Sequence, residues 1–482
     1  MCVSLGATGC TASTRGPATP TVPANGAEES GPITLVTARD LSQGGVRQKL
    51  IDQWNTAHPD HKVNVVELPS NADLQRSQML AAEQSGEPSY DVLNLDVTWT
   101  AEFATDGALR PLDPAVLRED SENGALLPGV KQTVQYGLRG GQSQVWAVPF
   151  NSDAGLLYYR ADVLQKFGIT QPPRTWQEMQ TDFQKVVKKA DPKSDHIPSA
   201  AYTTQLGDYE GLTVNTVEAV ASSDSGHADV SRDASGLAAL VSHFNDDTPP
   251  TILPAAHPPQ SDITDHGDED ASVQAFIRGD VLFMRNWPYA YNVLAAGKLE
   301  GSFGVTALPS LDGAGPGRSV LGGQNLAIAA HSTKPNLARS LIEFLTSRSS
   351  ENCLLEYGGF AATRTDAYSD RSGCVLPSPP PVTGNSENAN AGTLYSDSLA
   401  WPKNTLLGGF NQDSPLTVLE TALRTAVARP VTPYYARVTQ VIQKAAAQAL
   451  DDQASMQGPA PGAVQAIASA LPAQIRAAEA GR

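Results

Sequence analysis

Residues 33–96, ITLVTARDLSQGGVRQKLIDQWNTAHPDHKVNVVELPSNADLQRSQMLAAEQSGEPSYDVLNLD, decide the fold. Ile33 to Val36 is a short apolar strand, after which the pattern changes period: Val46, Leu50, Ile51 and Trp54 fall on one face of a helix. Val63 to Leu68 reads as a second strand and Asn71 to about Gln84 as a polar helix. Tyr90 to Leu95 reads as a third strand, ending at Asp96. Strand, helix, strand, helix, strand in so short a span predicts a parallel, doubly wound α/β unit. Ligands of such sheets gather outside the carboxyl ends of the strands. Asp40, just past the first strand, and Asp96, just past the third, are therefore placed for contact.

Further along, Val145 to Tyr159 is an extended run, VWAVPFNSDAGLLYY, interrupted by Pro149. A proline inside a strand points to a segment that passes from one lobe to another rather than a single central strand. Trp176 to Lys189 reads as a helix, Val281 to Met284 and Gln324 to Ala329 as strands, and Leu337 to Thr346 as an amphipathic helix. The stretches at 246–269 and 375–394 are rich in Pro, Ser and Asp and read as loops or insertions. No internal repeat is visible.

The bulk numbers narrow the function. A chain of 482 residues exceeds the roughly 100–200 expected of one domain. Hydrophobic content of 40% with 18% charged residues is that of a globular protein. A net charge of −17 argues against nucleic acid and anionic lipid surfaces, which need clustered Lys and Arg, and is compatible with a neutral small ligand. No apolar run reaches the roughly 18 residues needed to cross a membrane.

At the N-terminus, Ala7-Thr8-Gly9-Cys10 resembles a lipobox with Cys10 as the lipid acceptor. The apolar stretch before it is short, so residues 1–10 read as a truncated signal peptide whose start codon lies upstream of Met1. Residues 11–32 have the Ser/Thr/Pro/Ala/Gly composition of a flexible tether. Cys353 and Cys374 belong to no CxxC or Cys/His zinc spacing and are expected to pair in an oxidising compartment.

Several blocks carry a family likeness: Asp91 to Ala104 (DVLNLDVTWTAEFA), Pro149 to Arg160 (PFNSDAGLLYYR), Glu210-Gly211-Leu212, Asn286-Trp287-Pro288-Tyr289, Gly322 to Ala327 (GGQNLA) and Arg429 to Tyr435 (RPVTPYY). In their order they resemble actinobacterial family 1 extracellular solute-binding proteins. Within that family the likeness is to the trehalose-binding lipoproteins of mycobacteria and their streptomycete relatives. The resemblance implies a two-lobed periplasmic-binding-protein-like α/β fold of type II. Each lobe would be a mainly parallel sheet flanked by helices, with a hinge of two or three crossing segments. It implies an N-terminal lobe of about 33–149 plus 322–347 and a C-terminal lobe of about 150–321 plus 348–482. It further implies a monomer on the extracytoplasmic face of the cell membrane that hands a neutral disaccharide to the permease subunits of an ABC importer. Two departures stand out. The family usually has Asn where this chain has Asp153, and the segment 366–415, with Cys374 and Trp401, is long.

A sugar offers hydroxyls in fixed directions and an apolar C–H face. Carboxylates and amides bridge its hydroxyls, an arginine donates a fork of hydrogens, and an aromatic ring covers the apolar face. The ligand-binding candidates are accordingly Asp40, Asp96, Asn151, Asp153, Glu210, Trp287, Gly323, Gln324 and Arg429. Asn151 and Asp153, two apart on an extended segment, face the same side. Gly322 and Gly323 allow close backbone approach. Plainer roles stand beside these: helix caps for Asp40 and Asp96, a helix-end charge for Glu210, core packing for Trp287. Trp99, Tyr289 and Tyr357 are second-tier candidates for ligand contact, with packing as their plainer role.

No zincin, nucleophile-elbow or phosphate-loop motif occurs, and the scattered histidines suggest no metal. The rival to a binding protein is a glycoside hydrolase that uses Asp96, Asp153 and Glu210. The resemblance and the lipobox favour binding, with no catalytic residue and no cofactor.

Overall fold

Strand β1 (Ile33–Ala38) lies between β2 (Val63–Leu68) and β3 (Val92–Asp96), parallel to both. Both faces of β1 and β3 are largely covered, so their apolar residues do not simply alternate with exposed polar ones, and Thr37 and Asn94 are buried with them. The helix Val46–Ala57 supplies one cover through Val46, Leu50, Ile51 and Trp54. The helix Ala72–Gln84 starts where Asn71 caps it, its Oδ1 accepting from Leu74 N at 3.0 Å.

The structure is a computed structural model. It describes residues 29–40, 44–120, 124–223, 229–242, 252–253, 267–311, 315–370, 372–376, 414–454 and 462–481. Cys10, most of the tether and Trp401 lie outside the described residues.

The remaining strands are the short pair β4 (Gln135–Tyr136) and β5 (Gln144–Val145), then β6 (Ala147–Ala154), β7 (Leu156–Tyr159), β8 (Ala200–Thr203), β9 (Ile252–Leu253), β10 (Val281–Asn286), β11 (Gly304–Thr306) and β12 (Leu321–Ile328). Two five-stranded sheets result, ordered β2-β1-β3-β12-β6 and β11-β7-β10-β8-β9. In the first sheet only β12 runs against the others, and in the second only β7. These are the two strands that follow a passage between sheets. β7 continues β6 through Gly155, and β12 arrives in the first sheet from Val320. Each sheet is thus mainly parallel, with its reversed strand delivered by the hinge.

The change of sheet falls at Gly155 and not at Pro149. Pro149 sits in β6, an edge strand, where the register with β12 shifts between Gln324 and Asn325. An edge bulge is one of the few places a sheet tolerates the missing N–H. A third passage follows the helix Arg348–Cys353. Cys353 and Leu354 pack in the first core, Leu355, Ala361 and Ala362 in the core behind the second sheet, and Ser152 N donates to Ala361 O at 2.8 Å.

Cys353 and Cys374 are joined by a disulfide across a sequence separation of 21. Closing a loop of that length removes unfolded-state entropy worth about 3 kcal/mol. Cys374→Ser should therefore lower the unfolding free energy obtained by denaturant titration by about 3 kcal/mol, with no further loss on adding reductant.

The register places the site. Gln324 of β12 pairs with Asp96 on one side and Asn151 on the other, and Gly322 pairs with Asp153. The carboxyl end of β3, the start of β12 and the end of β6 thereby meet at one spot.

Candidate ligand-binding site

A cavity of about 200 Å³ lies between the lobes at that spot. Asp40, Asp96, Asp153, Glu210, Trp287, Gly323, Gln324 and Arg429 all reach its wall. Asn151 does not. It is buried behind Asp153, and its Nδ2 donates to Asp153 Oδ2 at 3.0 Å. Its place is therefore support of Asp153: alternation along β6 puts the two side chains on one face, and only Asp153 reaches the wall.

Asp96 takes both roles open to it. Its Oδ1 caps the following turn, accepting from Thr98 N at 2.9 Å and Thr98 Oγ1 at 2.7 Å, and lies 3.5 Å from Arg429 Nη2. Asp96 remains partly exposed to the cavity.

Glu210 opens the helix Glu210–Ala221, yet its carboxylate is taken up by the protein. Oε1 accepts from Arg429 Nη1 at 2.6 Å and from the Tyr435 hydroxyl, and Oε2 accepts from Thr439 Oγ1 at 2.5 Å. Glu210 lines the cavity and at the same time anchors Arg429. Burial raises the Glu210 carboxyl, while the Arg429 charge pulls it back down. Burial alone would lower the Arg429 guanidinium, but Asp96, Tyr435 and Glu210 more than offset that and keep it charged. Asp96–Arg429–Glu210 is thus an ionic bridge from the first sheet to the second lobe.

Gly323 has φ +119, and a Cβ on it would stand 2.3 Å from Asn151 O. Glycine is needed there for β12 to approach β6, whatever the ligand does. Gln324 Oε1 accepts from Asn94 Nδ2 at 2.8 Å, which leaves its amide NH₂ for the cavity.

Trp287 is pinned on two sides. Its Nε1 donates to Glu269 Oε1 at 3.1 Å, and the Arg285 guanidinium lies 3.8 Å from the ring centroid. One face being covered, a ligand ring can stack only on the other. The second oxygen of Glu269 accepts from the Tyr209 hydroxyl at 2.8 Å.

Sequence reasoning missed Glu269, Tyr209, Arg47 and Gln75, all of which line the cavity. Glu269 stands at the end of the stretch read as a loop. The signal available was the run Asp268-Glu269-Asp270 that opens the helix Glu269–Arg278, where acidic residues favour the helix dipole. Arg47 staples its helix to the end of β1, donating to Thr37 Oγ1 at 2.9 Å and Ala38 O at 2.7 Å. Trp99 and Tyr289, second-tier candidates in the sequence, also reach the wall, and the buried Tyr289 hydroxyl has no partner among the described residues. Tyr357 stays outside the wall. Among the described residues, no three His, Cys, Asp or Glu side chains are grouped to hold a metal, and no helix is long and apolar enough to cross a membrane.

The cleft between the two lobes is lined by an aromatic ring, carboxylates and an amide. Residues 39–351 match the model of the bacterial extracellular solute-binding proteins. The chain belongs to that family. A solute-binding protein of Deinococcus radiodurans, described as a probable ABC transporter-binding protein, is 31% identical over 367 residues, which is 72% of this chain and 79% of that one. Among solved structures, the T. maritima MalE3 protein with maltose bound has a TM-score of 0.68 and 26% identity, covering 91% of this chain and 98% of its own. The GacH receptor of Streptomyces glaucescens has a TM-score of 0.69 at 20% identity, covering 94% and 99%, and shares the fold. Membership makes this solute-binding protein a receptor and not an enzyme.

Proposed function

We propose that the protein binds a neutral disaccharide, trehalose first and another α-glucoside such as maltose second, and delivers it to the permease subunits of an ABC importer. The observation that carries the reading is Trp287, fixed by Glu269 and Arg285 with one face toward a cleft whose other groups, Asp96, Asp153 and Gln324, suit hydroxyls. The maltose of the T. maritima structure supports an α-glucoside. In this reading the protein works as a monomer at the extracytoplasmic face of the cell membrane, held by lipid on Cys10, with no cofactor.

The test is calorimetric titration of the purified protein with trehalose and then maltose, with product analysis of the same samples. Saturable binding that leaves the sugar intact supports the reading, and the tighter sugar is the substrate. Release of glucose, or no binding of either sugar, overturns it. Trp287→Ala should weaken binding by at least about 2 kcal/mol, roughly thirtyfold in Kd. Trp287→Phe should recover part of that loss, since a ring still covers the sugar face.

A further inference from the structure

Asp153 occupies an unusual position for a carboxylate. It lines the cavity and is half-buried, with Asn151 and Gly322 packed against it. Gly322 of β12 packs so close that a Cβ there would lie 3.3 Å from Asp153 Cβ and 3.0 Å from the Trp287 ring. The groups that face Asp153 come from five elements, and nearly all are already committed. Asn151 of the same strand donates its one hydrogen bond, to Oδ2. Arg285 of β10 spends Nε and Nη2 on Glu218 at 2.9 and 2.7 Å and Nη1 on Gln205 at 2.9 Å. Tyr158 of β7 donates to Trp287 O at 2.8 Å, and Tyr368, beyond the third passage, to Ala362 O at 2.9 Å. Asp96 of β3 is a second carboxylate, and its own cation, Arg429, is shared with Glu210. A carboxylate half out of water, with one neutral donor, a like charge nearby and no cation bonded to it, is stabilised by taking a proton.

We infer that Asp153 is a carboxylic acid when the protein binds its ligand, and that it selects ligands by donating a hydrogen bond from Oδ1 to an oxygen of the sugar. The inference rests on the sugar-binding reading. Burial, with the Asp96 charge adding to it, raises the group to about 8. The sign follows: the acid form persists at neutral pH and is lost as pH rises through that value. The ligand group opposite Asp153 is then an acceptor, an ether or hydroxyl oxygen. An ammonium group there would prefer the ionised carboxylate and bind more tightly as pH rises.

The experiment is titration with trehalose and maltose from pH 6 to pH 9.5, for the wild type and Asp153→Asn. Wild-type affinity is expected to hold steady up to about pH 8 and then to fall by up to about tenfold per pH unit. In Asp153→Asn, whatever its level at pH 6, the affinity should not change over that range, because an amide does not titrate. A flat wild-type profile, an affinity that rises with pH, or the same decline in both proteins overturns the inference. Infrared difference spectra at pH 7 decide the protonation without any ligand. A carboxylic C=O band present in the wild type and missing from Asp153→Asn supports the inference even if neither sugar binds and the sugar reading falls. Absence of that band overturns it even if both sugars bind.

Discussion

Arg429→Met is expected to lose about 3–5 kcal/mol of stability at neutral pH, together with ligand binding. The guanidinium is 2% exposed and bonded to Glu210, itself 8% exposed, while Asp96 at the other end is 23% exposed. The loss should therefore come from the Glu210 end. Once the cation is gone, Glu210 keeps only the hydroxyls of Tyr435 and Thr439 for a charge out of water, whereas Asp96 can be solvated in the cavity. Burial already raises the Glu210 carboxyl, and removal of Arg429 raises it further. A group with a raised pKa contributes its stability at low pH and loses it as pH rises. The deficit of Arg429→Met should accordingly shrink on acidification, as Glu210 takes a proton. Denaturant midpoints measured across pH check this. Adding Glu210→Gln to Arg429→Met removes the stranded charge and should restore most of the stability. It does not rebuild the link from Asp96 to the second lobe, so calorimetry should still find binding lost. Recovery of both together would mean that the bridge matters only for folding.

What the sequence made legible here is whatever is settled over a few residues. The change of period after Val36 exposed the β1–helix–β2 unit, and the rule that ligands lie beyond strand ends placed Asp40 and Asp96 on the cavity wall. Trp287 was visible through its polar neighbours and its position in the family likeness, although a ring beside Asn286 and Pro288 could equally have been core. What stayed hidden depends on residues far apart in the chain. The partner of Glu210 is Arg429, 219 residues on, so no local pattern could show that its carboxylate was occupied. β12 inserts between β3 and β6 only because the chain returns from the second lobe. The sequence displays a strand at Gln324 to Ala329 but not the neighbours that turn Gly323 into a packing requirement. The role of Asn151 was half legible, since alternation gave its side and not its depth. Glu269 was lost for a compositional reason: it closes a stretch whose Pro, Ser and Asp content spoke for a loop, although its own three residues begin a helix.

The second large effect concerns Arg285, which lies in β10 with its side chain 1% exposed. A charge inside a fully buried strand is tolerated only because Glu218 meets it with two hydrogen bonds, at 2.7 and 2.9 Å. Arg285→Met should therefore cost about 3–5 kcal/mol, since it leaves Glu218 charged and buried without a cation. Exchanging both members, Arg285→Met with Glu218→Leu, removes both charges and their desolvation penalties, and such exchanges are often neutral or better for stability. Binding should respond differently. Arg285 also lies against the back of Trp287, and Glu218 Oε1 accepts from Val320 N and Ser319 Oγ, each at 3.2 Å, while Gly155 N donates to Ser319 Oγ. The pair thus braces the aromatic face and ties together the two strands through which the lobes are joined. The double variant is expected to recover part of the stability lost in Arg285→Met, short of the wild type because Val320 N and Gln205 Oε1 lose partners, and to bind sugar at least about tenfold more weakly, the equivalent of roughly 1.4 kcal/mol. Melting curves and calorimetry on the same preparation separate the alternatives. Wild-type affinity in a stable double variant would reduce the pair to a neutralised charge in the core. Weak binding in that background would make Arg285 and Glu218 part of the receptor, although neither reaches the cavity.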